Sequence, residues 1–209
     1  MKYEWRKAEK DLYLPKATPA LVQLPAFKFF TIKGEGNPND PAFEGYVGAL
    51  YALSYAVRMS HKKGLAPEGY FEYTVYPLEG VWDITDEAKK VFDGKLNKDE
   101  LVFHLMIRQP DFVNADFFEK MKARTMEGNT NPLVENVQFE VLEEGPCVQM
   151  LHLGSYDDEP ASFEKMEAWA EANGWTRISK LHREIYLTDP RKTAPEKLKT
   201  VLRFKVRRA

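Results

Sequence analysis

The segment His182-Arg183-Glu184-Ile185-Tyr186-Leu187-Thr188-Asp189-Pro190 carries the side chains best suited to chemistry. With a strand period of two, His182, Glu184 and Tyr186 share one face, and Ile185 and Leu187 occupy the other, which suits a core. In bulk water this is a plain half-buried strand. Roofed by other groups it becomes a site, and the chain has 13 Phe, 10 Tyr and 4 Trp to supply a roof. Two readings of Glu184 follow. It is a surface or salt-bridged carboxylate, with Arg183, His182 and Lys205 as candidate partners. Or it is an acid at the bottom of an aromatic pocket, binding a cation directly or serving, with a water, as a general base worth roughly 10²- to 10⁴-fold in rate. Apolar surroundings favour its neutral form unless Tyr186 or a ligand stabilises the anion.

Several other residues could contact a ligand. Trp82 follows PLEGV where a strand leaves the sheet, and Trp175 follows the Gly174 helix stop. Both are expected at rims, as core filler or as surfaces that stack a flat ligand. Alternation along Leu101 to Arg108 sends Leu101, Phe103, Leu105 and Ile107 inward and leaves His104, Met106 and Arg108 on the cleft side. Thr74 and Tyr76 take equivalent positions by a local echo of TVYPLEG with EIYLTDP. Tyr51 and Tyr55 lie four residues apart on a helix, and Glu79 is either a turn carboxylate or a second acid at the cleft edge.

The four histidines, His61, His104, His152 and His182, show no paired metal-ligand spacing, so neither a metal site nor a cofactor is expected. The single cysteine, Cys147, excludes an internal disulfide and fits a reducing compartment as an inert core thiol. The sequence pI of about 6.1 and net charge of -2 argue against a nucleic-acid-binding surface. The basic cluster from Lys197 to Arg208 reads as a solvated strand face. No apolar run has the length of a signal peptide or membrane span, so a cytoplasmic protein without membrane association is expected.

Turn residues divide the chain into elements. Pro25 to Lys33 reads as a strand, and Asp40-Pro41 opens a helix running to Ser60 before Gly64. Strands follow at Tyr70 to Tyr76 and Leu101 to Arg108. Asn114 caps a helix bearing Phe117, Phe118 and Met121. A hairpin is expected from Val137 to Leu142 and Val148 to Leu153 around Glu143-Glu144-Gly145-Pro146, then a helix from Pro160 to the Asn173-Gly174 stop, and strands Leu181 to Leu187 and Thr200 to Val206. The repeated order predicts one α+β domain over 1–209. It comprises two pseudo-symmetric strand-helix-strand-strand modules, about 20–108 and 137–209, with a linker helix in 109–136. The sheet is antiparallel, with helices on one face and a ligand cleft at the seam, towards which Glu184 and Tyr186 point.

The EIYLTDP, YTVYPLEGVW and HLMIRQPDFV segments, with the paired modules, resemble the GyrI-like small-molecule-binding family over roughly Leu12 to Arg207. That family is related to the effector-binding domains of multidrug-sensing bacterial regulators. The resemblance implies that Glu184, with Tyr186 beside it, contacts cationic aromatic compounds in an aromatic pocket. The PLEG-V-W and MIRQPDF segments are similar to a narrower stand-alone branch, known as hydrolases of cyclopropanoid DNA-alkylating natural products that use an aromatic cage. It implies a detoxifying, antibiotic-resistance hydrolase acting on a hydrophobic aromatic molecule, with Glu184 functional. It does not say which aromatics form the cage, and the residue reading supplies Tyr186 as the second catalytic candidate and Trp82, Trp175, Tyr76, His104, Met106 and Tyr55 as the binding candidates. The alternatives are a module that sequesters drugs without turnover, or a regulator of a protein partner such as DNA gyrase. No helix-turn-helix or coiled-coil segment precedes the domain, so direct DNA binding is not expected.

Overall fold

Proline, asparagine and glycine set the helix limits in the computed structural model, which describes residues 2–91, 93 and 95–209. β1 spans Ala20–Glu35. Helix α1, Pro41–Arg58, starts after extended Asp40 and buries Ala49, Leu50, Leu53 and Val57 at helical spacing. β2 is Leu78–Ile84 and β3 is Leu101–Gln109. Helix α2, Ala115–Gly128, is capped by Asn114, whose Oδ1 accepts from the Phe117 amide at 2.8 Å. β4 is Gln138–Leu153, and helix α3, Glu159–Ala172, has proline in its first turn and ends at Asn173. Gly174 then turns the chain with φ 73°. β5 (Trp175–Arg177), β6 (His182–Tyr186) and β7 (Lys199–Arg208) complete the chain. The class is α+β with antiparallel strands, and among the described residues no helix is long and apolar enough to cross a membrane.

The chain forms two compact units. The first holds the residues up to Glu4 together with Phe27–Leu142, and the second holds Trp5–Ala26 and Glu143–Ala209. In the first unit, β3 pairs antiparallel with both β1 and β2, and α2 lies within the same unit. Leu101, Phe103, Leu105 and Ile107 are buried as alternation predicts, but so is Met106. The Trp82 ring lies 6.0 Å from that of Phe43 and 5.5 Å from that of Phe103. Gly34 permits this packing, since a Cβ there would sit 2.5 Å from the Phe103 ring. The expected strand from Tyr70 to Tyr76 is absent. Tyr73 makes one bridge, to Tyr3, and its carbonyl accepts from Arg58 Nε at 2.9 Å. Backbone groups that would have joined a sheet are thus taken by an arginine and the start of the chain.

In the second unit β7 is central and pairs antiparallel with β4, β5 and β6. The expected hairpin is replaced by the continuous strand β4. Within it Gly145 takes φ 68°, a left-handed conformation that glycine adopts without steric cost. One sheet face packs Val148, Met150, Leu202, Phe204 and Val206 against Met166 and Ala170 of α3.

The opposite face carries a polar row, in which Gln149 and Arg183 both lie across from Arg203. Glu144 bridges the two guanidinium groups, 3.0 Å from Arg183 Nε and 3.3 Å from Arg203 Nη1. Arg203 Nη2 also donates to Gln149 Oε1 at 2.8 Å and to the Leu12 carbonyl at 3.2 Å. Gln149 Nε2 donates to the Asp11 carbonyl at 2.6 Å, and Arg6 to the Leu187 carbonyl at 3.0 Å. The short helices Trp5–Ala8 and Lys10–Tyr13 are thereby fastened to this face, so helices lie on both faces rather than on one. Burial and the Glu144 charge push the nearby Cys147 thiol up to about 12, keeping it protonated.

Burial alone would raise the Glu144 pKa, but the charges and hydrogen bonds of Arg183 and Arg203 hold it below its ordinary 4.5. A carboxylate depressed by folding contributes stability that is complete above its unfolded pKa and lost as pH falls through the folded value. Glu144→Gln should therefore cost about 3 kcal/mol at neutral pH by urea denaturation, because it leaves two buried guanidinium groups uncompensated. The gap between wild type and variant should narrow in acid, and a gap independent of pH would contradict the assignment.

Candidate functional site

Strand alternation does place His182, Glu184 and Tyr186 together, and their side chains bond to one another. Glu184 Oε1 accepts from His182 Nε2 at 3.0 Å and its Oε2 from the Tyr186 hydroxyl at 2.9 Å. Glu184 is buried, at 9 % exposure. The face is the reverse of the one expected. Glu184 lies across from Leu202 in the β6–β7 register, and Leu202 belongs to the core that packs on α3. Ile185 and Leu187, expected against the helix, are buried on the side that bears Arg183 and the amino-terminal helices. Alternation fixes which residues share a side of a strand, not which layer covers that side.

The roof over Glu184 is therefore the start of α3. One oxygen of Glu159, in the first helical turn, joins a nitrogen of His182 and an oxygen of Glu184 in a group whose three atoms lie within 4.8 Å of one another. Glu159 is itself buried. The Tyr156 ring meets the Tyr186 ring edge-on at 6.0 Å, and the Phe163 ring lies 4.6 Å from the His182 ring. His152 fixes the preceding turn. Its Nε2 donates to the Ser155 carbonyl and its Nδ1 accepts from the Ser162 hydroxyl, both at 2.9 Å. Since a carbonyl only accepts, these bonds set the imidazole tautomer.

Burial, then the charges of Glu184 and Asp157, raise the Glu159 pKa to about 10, so Glu159 is neutral at pH 7. Burial and the Glu184 charge likewise keep the Tyr156 hydroxyl protonated. The site thus holds one carboxylate gripped by two donors, a neutral carboxyl beside it, and three aromatic rings. Such a group can orient and deprotonate a water, or receive an organic cation.

The remaining candidates lie elsewhere. Trp175 packs against the second unit's core with the Arg208 guanidinium 4.2 Å from its ring centre. In the first unit Trp82 is a core residue at 8 % exposure rather than a rim residue, and Met106 is fully buried rather than presented at a surface. Tyr76 is buried beneath the Arg108 guanidinium, and Tyr55 is exposed beside Tyr51. His104 Nε2 sits 2.9 Å from Glu140. Glu159, Tyr156 and Phe163 were not legible as site residues. An acid next to a proline at a helix start reads as an ordinary first-turn charge, and only its burial distinguishes it.

The model of the GyrI-like small molecule binding domain matches residues 17–207, and the chain belongs to that family. No protein of curated function matches it. Two solved Listeria innocua structures, each described as a hydrolase, are 32% and 34% identical with TM-scores of 0.88 and 0.89, each match covering 99% of this chain and all of the other. The EcmrR C-terminal domain, at 16% identity and a TM-score of 0.52 over 92% of this chain and 98% of that one, shares the fold alone.

A carboxyl group whose pKa is raised by folding contributes stability that is fully present below its unfolded value, here 4.5, and is lost as pH rises towards the folded value of about 10. Thermal stability should therefore decline from mildly acidic to alkaline pH more steeply in the wild type than in Glu159→Gln, which holds no proton to lose. Parallel melting profiles for the two proteins would show that Glu159 is not the buried neutral acid.

Proposed function

We propose that this protein hydrolyses planar aromatic molecules that carry a strained, electrophilic ring, with cyclopropane-bearing DNA-alkylating natural products as the substrate class. The observation that carries this reading is the buried Glu184 carboxylate, held by His182 and Tyr186 under a roof of Tyr156 and Phe163. The family's small-molecule binding and the hydrolase description of the Listeria relatives support it.

In this mechanism the flat substrate lies against the rings of Tyr156, Phe163 and Tyr186, and bulk water is displaced. Glu184 accepts a proton from a water whose oxygen attacks a cyclopropane methylene. The ring C–C bond breaks as the C–O bond forms, and its electron pair passes into the conjugated dienone, which becomes a phenolate and is protonated by solvent, while Glu184 gives the proton it took back to solvent. Tyr186 donates to Glu184 already, so it acts as a positioning residue that aims the carboxylate. Ring strain and aromatisation provide the driving force, and the protein supplies orientation and a base.

Incubation of the protein with an excess of a cyclopropane-bearing alkylator should release ring-opened product over many turnovers. Glu184→Gln should lower the rate by about 10²- to 10⁴-fold, and Tyr186→Phe by about tenfold with little change in KM, as expected for one lost hydrogen bond to a charged group. Product limited to one equivalent per chain would reject catalysis and favour capture of aromatic cations by the same carboxylate and rings. Unchanged turnover in Glu184→Gln would remove that residue from the chemistry.

A further inference from the structure

We propose that Glu159, His182 and Glu184 form a binding site for a divalent first-row transition metal of the zinc class. The inference concerns residues of the same site but does not depend on the hydrolase reading, and it rests on ligand type, spacing and an unanswered polar atom. Two carboxylate oxygens and an imidazole nitrogen, with no thiolate, are the donors favoured by zinc and its divalent neighbours. Their ligand atoms all lie within 4.8 Å of one another. Metal–ligand bonds of roughly 2.0–2.2 Å put tetrahedral ligands about 3.4 Å apart. His182 Nε2 and Glu184 Oε1, at 3.0 Å, are already close to that spacing, and an oxygen of Glu159 lies within 4.8 Å of that pair.

The second observation is Glu159 Oε1, which is buried and has no hydrogen-bond partner, on a residue that is only 6 % exposed. A desolvated carboxyl oxygen without a donor is costly unless a cation or proton donor joins it. The outer groups also suit a metal. Tyr186 holds the second oxygen of Glu184 at 2.9 Å, and His182 Nδ1 lies 3.4 Å from the Lys180 carbonyl. A carbonyl behind the distal ring nitrogen is the usual support of a ligating histidine. Two ligands come from alternate positions of β6 and the third from the first turn of α3. Three protein ligands leave a further coordination position for water.

The test uses the whole chain, stripped with a chelator and desalted. Calorimetric titration should show one Zn²⁺ bound per chain, and Co²⁺ should give a visible absorption band characteristic of a low-coordinate N/O site. Glu159→Gln and His182→Gln should each weaken Zn²⁺ binding at least about tenfold, whereas Glu164→Gln, on the exposed side of α3, should leave it unchanged. Melting curves of the metal-free variants establish that they are folded. Absence of stoichiometric Zn²⁺ uptake and of the Co²⁺ band in the wild type would overturn the proposal whatever the variants do. Equal affinity in wild type, Glu159→Gln and His182→Gln would overturn it too. Ring-opening activity enters neither readout, so failure here and failure of the hydrolase reading are separable.

Discussion

Two carboxyl groups buried side by side cannot both carry charge without compensation, and the polar groups of the second unit are arranged around that constraint. Like charges within 4.8 Å repel by about 3.5 kcal/mol or more at an effective dielectric constant of ~20. The donors decide which group yields. Glu184 receives hydrogen bonds from His182 and Tyr186, each worth about 1.5–3 kcal/mol to a charged acceptor. One oxygen of Glu159 has no partner. The proton therefore stays on Glu159. One glutamate is gripped by two donors and the other is a neutral neighbour, although both are buried and both come from regular secondary structure.

The reverse side of the same strands solves the opposite problem. Glu144 is also largely enclosed, yet it faces Arg183 and Arg203, and its pKa moves down instead of up. Burial acts in the same direction on both residues, so the neighbours decide the sign. Arg183 and Glu184 are adjacent in sequence but point to opposite faces of β6, one into each network. The strand thereby separates a cation-rich layer, which holds the amino-terminal helices, from an acid-rich layer, which holds Glu184 and Glu159. Neither layer could exchange places with the other without leaving charges unmatched.

The sequence discloses the α+β class, the helix limits marked by Asp40-Pro41, Asn114 and Asn173-Gly174, and the grouping of His182, Glu184 and Tyr186. These are local properties, fixed by capping, by proline geometry and by strand period. What escapes is the layer that covers each strand face. Ile185 and Leu187 look like the helix-facing set because they are apolar, but the polar triad takes that place, bonded within itself and met by Phe163 of α3. Glu144-Gly145-Pro146 looks like a turn, whereas the guanidinium groups that neutralise Glu144 let the strand continue. Trp82 looks like a rim residue from its position after a strand, yet Phe43 and Phe103 enclose it. Histidine spacing likewise hides the potential ligand group, because two of its members are glutamates and one comes from another element.

Fastening the amino-terminal helices by Arg203 and Gln149 bears on the order of folding. The Arg203 bond to the Leu12 carbonyl spans 191 residues and that from Gln149 to Asp11 spans 138. During synthesis, which proceeds from the amino end at roughly 5–20 residues per second, Trp5 to Ala26 emerge many seconds before the strand that receives them. Phe27–Leu142 has its pairing partners in hand much earlier. The first unit can thus close while the nascent chain is still lengthening. The rings of Trp5 and Tyr13, set among charged neighbours, lack their shelter until the strand bearing Arg203 has been made.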